Sequence, residues 1–293
     1  MTAAHFVNLL AEVTLIEMMV TLGLGVKISD VLAVGREWSL VLIALLANYV
    51  IVPGAAIGLL LLFHASPMVA AGFMVAAVCP GAPYAPPFTS MARGNVTVAI
   101  GLMIALCASS AVIAPLLLKF LLPLVVGQTA VKINVLKMIG TLLGAQLIPL
   151  CIGLWIRYSR PRSAERLQKI ASVISLVLNL ILLAIIIAVQ FNMLSEIHVR
   201  GYIGMTCLVL ASLFAGAVVA KRLQRAILKS MIMTTSVRNV GVSLVIATSS
   251  FPGTAAVTTA TAYAIFQTVV IALVAFALGR FSRDMPMIVQ KAA

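Results

Sequence analysis

Charge is what this chain has least of. Only 9% of its 293 residues are Asp, Glu, Lys or Arg and 63% are hydrophobic, where an ordinary soluble domain carries about a quarter of its residues as charges. The mean hydropathy is +1.19, and a water-soluble fold is excluded. Acidic residues are scarcer still, 7 against 20 Lys plus Arg. The bases gather in short stretches between apolar runs, so the excess reads as membrane topology and no nucleic-acid partner is expected. The four cysteines (Cys79, Cys107, Cys151, Cys207) lie in or beside apolar segments without disulfide or metal-ligand spacing, so neither a metal site nor a cofactor is expected. Three histidines (His5, His64, His198) fall at predicted ends or loops and bring no nucleophile and base together, which argues against an enzyme. A phosphate-cradling Walker loop is missing, so active transport would have to be secondary. The apolar runs are continuous and do not alternate with polar residues, which excludes a lipid-facing β-barrel.

What remains is an all-α polytopic membrane protein. A helix needs about 20 mostly apolar residues to cross the hydrocarbon layer. Nine runs qualify: about 7–26, 38–62, 67–90, 96–124, 134–156, 168–191, 201–219, 229–250 and 257–279. The first lacks a basic start and a cleavage site, so it reads as a span and not as a removable signal. The fourth contains Pro115 and Pro123 and is expected to tilt or bend near its end. Lys and Arg set the direction. Lys27 and Arg36, then Arg93, then "RYSRPRSAERLQK" at 157–169, then Lys221, Arg222, Arg225 and Lys229, and finally Arg280, Arg283 and Lys291 fill alternate connections. "FHASP" and "SFPGT" on the other side carry neither Lys nor Arg, and the loop after the sixth span has Arg200 alone, while Lys119, Lys132 and Lys137 are the weak point of the count. The N-terminus is therefore expected outside and the C-terminus in the cytoplasm, in a cytoplasmic (inner) membrane.

Two spans are interrupted. "VCPGAPYAPPFTSMARGN" at 78–95 places Pro80, Gly81, Pro83, Pro86 and Pro87 within eight residues. Proline removes an amide and clashes with the preceding turn, so regular helix is expected to fail near Pro83–Pro87. The eighth span carries Thr234, Thr235, Ser236, Arg238, Asn239 and Gly241 inside apolar sequence, and is expected to fail near Ser236–Gly241. The two lie five spans apart, an odd offset that inverts the second copy. Spans 1–4 and 6–9 read as inverted repeats with span 5 as a bridge, and their broken helices are expected to cross near the midplane, as in secondary transporters.

Arg238 is the sharpest single residue. A buried arginine stays charged, and its planar fork suits carboxylate, sulfate or phosphate. The rival readings are a structural ion pair with Glu12 or Glu17, snorkelling, or a gating role. Glu12 and Glu17 are the only carboxylates placed to reach membrane depth; Glu12 reads as a solvated end, and Glu17 as a candidate for proton coupling or for a structural bond. Asn48, five residues before Pro53, and Gln267 read either as packing or as cavity contacts, and Gln146 as packing. The 14 methionines have no ligand-like spacing.

Four segments carry a resemblance: "TLGLGVKISDV" at 21–31, "NYVIVPG" at 48–54, "CPGAPYAPPFTSMARGNVTVAI" at 79–100 and "TTSVRNVGVSLVIA" at 234–247. The sequence resembles the bile acid:sodium symporter family, the third segment being the most specific. The resemblance implies a panel domain (7–26, 134–156 and 168–191) and a core domain (38–124 and 201–279) in one transporter unit of 1–293. It also implies a small organic anion as substrate, such as a bile acid, a pantoate-like acid or a 2-keto acid. Relatives often carry one more helix ahead of the "TLGLG" segment, whose absence here would leave span 5 unpaired. Departures fall on the positions the family uses for sodium. A Ser-Asn pair is matched by Ala85 and Pro86, two hydroxyl ligands by Ala99 and Met103, a shared acidic residue by Thr234 and a glutamine by Arg238; Asn48 and Asn239 keep amide character. Sodium is therefore not expected, and Arg238 takes over the electrostatic role of the bound cation. The expected substrate set is Arg238, Asn239, Thr234, Asn48, Gln267, Pro83 and Tyr84, with Glu17 for a proton. A sodium-dependent symporter, or a non-transporting sensor or channel, is the alternative. A monomer surrounded by membrane lipid is expected.

Overall fold

A computed structural model describes residues 3–127, 134–189, 191–195, 197 and 199–281. Lys132, His198, Arg283 and Lys291 lie outside the described residues. Every regular element among those described is helical. Eight stretches are long and apolar enough to span a membrane, among them His5–Gly25, Trp38–Leu62, Val96–Val126 and Arg225–Ser250. The expected span at 67–90 is the exception, because it is split into pieces of 11 and 7 residues, Pro67–Ala77 and Ala85–Met91, each too short to cross alone.

In chain order the helices are α1 (Ala3–Gly25), α2 (Ile28–Arg36), α3 (Trp38–Leu62), α4 (Pro67–Ala77), α5 (Ala85–Met91), α6 (Val96–Val126), α7 (Val135–Ser159), α8 (Pro161–Val189), α9 (Phe191–Ser195), α10 (Val199–Val219), α11 (Arg225–Ser236), α12 (Val240–Ser250) and α13 (Ala255–Phe281). The order α4–break–α5–α6 recurs as α11–break–α12–α13.

Two features differ from the sequence reading. The stretch after the first span, expected as loop, forms α2, which packs on α6 and buries Val34. The basic stretch 157–169 is helix on both sides of a one-residue turn at Arg160. Pro161 opens α8, where a missing amide does no harm, and Ala, Glu, Arg, Leu, Gln and Lys that follow are good helix formers; Arg157 reaches back to Glu165 at 3.1 Å. α6 continues as helix through Pro115 and Pro123.

Two helices carry a wide turn just ahead of a proline: Ala47–Ile51 before Pro53 in α3, and Leu143–Leu147 before Pro149 in α7. An extra residue in the turn makes room for the ring and exposes carbonyls that side chains can use. α1 lies against α7 and α8. Its closest approach is at Gly23 and Gly153, where a Cβ on either would come within 2.4 Å of a backbone carbonyl across the contact. Small residues are what let two membrane helices touch backbone to backbone. α4 packs on α13 and α6, α5 on α6 and α11, and α10 on α11.

Candidate functional site

The first break spans Val78–Tyr84. Gly81 makes it possible: its φ is +80°, a left-handed conformation, and a Cβ there would stand 2.3 Å from the backbone nitrogen of Cys107. Pro86 and Pro87, expected to break the helix, instead sit in the first turn of α5, where the missing amides are unpaired anyway. The second break is shorter, Val237–Asn239, with Asn239 capping α12 through its Oδ1 to the amide of Val242 at 3.2 Å. Gly241, expected in the break, is already inside α12.

The two breaks touch. Asn239 donates its backbone amide to the Cys79 carbonyl at 2.7 Å and its Nδ2 to the Gly81 carbonyl at 3.2 Å. Carbonyls freed by one break are thus satisfied by the other, as buried backbone requires. Gln267 of α13 holds the second break from behind. Its Oε1 accepts from the amide of Arg238 at 3.0 Å and its Nε2 donates to the carbonyl of Arg238 at 3.1 Å. Gly81→Ala should therefore cost most of the folded protein, since the added methyl meets backbone that cannot yield and a left-handed alanine adds about 1–2 kcal/mol. Gly253→Ala is the control, with φ +70° but nothing within 4 Å of the new methyl. Monodispersity and thermal midpoint of the two variants check this, and equal behaviour would refute the steric argument.

Arg238 is completely buried. Its Nη2 donates to Asn48 Oδ1 at 2.8 Å and its Nη1 to the Ala77 carbonyl at 3.2 Å; Nε has no partner among the described residues. Asn48 projects from the wide turn of α3, which places its carbonyl oxygen at the guanidinium. Ala77 is the last residue of α4, so the guanidinium sits at the negative end of that half-helix. No carboxylate faces it: the ion pair among the described residues is Arg157–Glu165. The expected alternative of a pair with Glu12 or Glu17 is not what forms. Glu12 accepts from Asn8 Nδ2 at 3.1 Å, and Glu17 accepts from Thr21 Oγ1 at 2.8 Å and from Ser175 Oγ.

A cavity of about 720 Å³ opens beside the crossing, between α1 and α8 on one side and the Pro83–Pro87 segment with α12 and α13 on the other. Of the expected substrate residues, Pro83 and Tyr84 line it. Arg238, Asn239, Asn48 and Gln267 come together, but as a buried cluster that does not line the cavity. Thr234 joins neither, because its hydroxyl bonds back to the carbonyls of Ser230 and Met231 at 2.8 and 3.2 Å. Sequence reasoning missed the polar wall. Gln168, Ser172, Ser175 and Asn179 line the cavity from α8, and Thr21 lines it from α1. Asn179 Nδ2 donates to Tyr84 Oη, which joins α8 to the first break, and Ser175 binds the Glu17 carboxylate. The signal was legible: those four residues fall at i, i+4, i+7 and i+11, on one face of a helix whose sequence beyond Lys169 is otherwise apolar.

The chain matches the Sodium Bile acid symporter family over residues 12–197. It belongs to that family. As a sodium bile acid symporter family protein it is a multi-pass membrane protein of a transporter type. The matched stretch includes the first break and ends before the second. No curated protein matches the chain. The family's name invites a test of whether these residues fit sodium, a hard cation that needs oxygen ligands. Ala85, Pro86, Ala99 and Met103 bring no side-chain oxygen, the Thr234 hydroxyl is spent on its own helix, and a guanidinium lies in the crossing. These side chains by themselves make no oxygen cage for such an ion.

Proposed function

We propose that the chain is a secondary transporter that moves a small amphipathic organic anion by alternating access without sodium. The observation that carries this reading is the Arg238 guanidinium, bonded to the Ala77 carbonyl and to Asn48 at the meeting point of the two broken helices. Two half-helices, α4 and α11, end at the breaks with their negative poles converging, a place that calls for positive charge. A tethered guanidinium supplies it. Arg238, Asn239, Asn48 and Gln267 then act on the substrate indirectly, by fixing the geometry of the crossing, while Tyr84 and the α8 wall meet it. The apolar remainder of the cavity suits a hydrocarbon body, and the hydroxyls and amides orient the polar end.

We take α1, α7 and α8 as the panel and α3–α6 with α10–α13 as the core, with the cavity along their seam. Its lining reaches Gly25, Val26 and Gln168, beside the basic connections at Lys27 and 157–169, the end we take as cytoplasmic. At the opposite end the seam is pinned by Thr248 Oγ1 donating to Asn8 Oδ1 at 2.8 Å. This is an inward-facing arrangement in a cytoplasmic membrane, with the N-terminus outside, and one chain suffices for it.

Uptake into proteoliposomes with bile acids, pantoate and 2-keto acids, each with sodium replaced by potassium, tests the reading. The expected result is uptake of one such anion at the same rate in either salt. A large, saturable gain from sodium would overturn the sodium-independent part and leave the transporter standing; no uptake of any anion would overturn the substrate class.

A further inference from the structure

A second cavity, of about 530 Å³, lies at the end with few bases, enclosed by α3, α4, α10 and the start of α13. It shares no lining residue with the cavity on the seam. Its floor is apolar, with Phe73, Met205 and Leu208 all buried, and its size is that of a ligand pocket. Among the described residues one charged side chain lines it, the exposed Arg200, second residue of α10, to which no described carboxylate is paired. Gly204, one turn further into α10, leaves the wall open: a Cβ there would have the Phe73 ring edge, 3.9 Å away, as its nearest neighbour.

We propose that this cavity binds one membrane phospholipid, with an acyl chain inside and the phosphate on Arg200. An arginine at the very start of a 21-residue span stands at the depth of lipid headgroups, and its fork matches a phosphate. Below it, at acyl-chain depth, the lining turns apolar. The phospholipid is favoured over transported cargo because the cavity lies within the helices around the crossing and away from the seam. Bound there, it would tie α3 and α4 to α10 and so stiffen the unit that carries both breaks.

The test uses the full chain, stripped by detergent exchange and titrated with phosphatidylglycerol, with bound lipid read by native mass spectrometry and stability by thermal midpoint. Wild type is expected to retain one lipid per chain and to gain stability saturably. Arg200→Gln should bind about fivefold more weakly, and Arg200→Lys should fall between it and wild type, keeping the charge and losing the fork. Gly204→Leu, whose side chain has room to enter the cavity, should stay folded and retain none. Equal retention by wild type and Gly204→Leu would overturn the site, and unchanged binding in Arg200→Gln would overturn the placement of the phosphate. Retention of a fatty acid with no uptake of the phospholipid would overturn the choice of ligand.

Discussion

Arg238→Ala should lose both stability and transport, and millimolar guanidinium should restore part of each where urea does not. The substitution strands the Asn48 Oδ1 and the Ala77 carbonyl, each buried and each left without its donor. A stranded buried acceptor costs about 1–3 kcal/mol, and the void left by the side chain adds to this. The thermal midpoint should fall by several degrees, and uptake by tenfold or more. Guanidinium carries the charge and the fork of the missing group, whereas urea carries the shape alone. Arg238→Lys should fall between, because an ammonium keeps the charge and loses the two-pronged geometry. A direct substrate ligand predicts something else: an unchanged midpoint, a raised KM, and no benefit from guanidinium in the absence of substrate. Wild-type uptake and stability in Arg238→Ala would remove the residue from the mechanism altogether.

Glu17→Gln should uncouple transport from a proton gradient. The Glu17 carboxylate is held by Thr21 and Ser175, which line the cavity on the seam, and Ser175 lies one turn from Asn179, the partner of Tyr84. Among the described residues, no Lys or Arg lines that cavity. Two like charges about 7 Å apart repel by about 2 kcal/mol at an effective dielectric of about 20. On the proposed reading, neutralising that charge with a proton is what lets proton and anion travel together, and Glu17→Gln neutralises it permanently. Wild-type uptake should rise severalfold under an inward proton gradient. In Glu17→Gln the gradient should have no effect, while exchange of labelled for unlabelled anion continues, with affinity raised by roughly tenfold or more. A variant that still answers the gradient would make Glu17 a structural partner of Ser175 and nothing else.

The two breaks were legible because Pro, Gly, Arg and Asn are dear at membrane depth and so mark where regular backbone fails. Their placement was not fully legible. A cluster of prolines reads as the break itself, yet Pro86 and Pro87 open the next half-helix and the chain departs from helix earlier, at Val78. Gly81 decides that position, through contact with Cys107 on another helix that no local pattern reveals. Arg238 was legible as an anomaly but not as a buried donor, because its compensation comes from Asn48 and Ala77, 190 and 161 residues away. The polar wall of α8 was missed for a different reason. Scanning for long apolar runs averages around the helix and hides a stripe on one face, which the spacing of Gln168, Ser172, Ser175 and Asn179 displays plainly.

Gln267 grips Arg238 by both its amide and its carbonyl, so the positive charge at the crossing is fastened to the chain at its root. A charge that cannot dissociate has no concentration, and its contribution to the crossing is the same on both sides of the membrane. An ion that binds and leaves stabilises by an amount that grows with the logarithm of its concentration, and that difference between two compartments is what performs work on a cargo. A fastened guanidinium performs none. Without a travelling ion such a carrier brings its cargo to equal electrochemical potential and stops, so any accumulation against a gradient must be driven through some other group, and the carboxylate of Glu17, held from behind by the cavity-lining Thr21 and Ser175, is the one we propose for it.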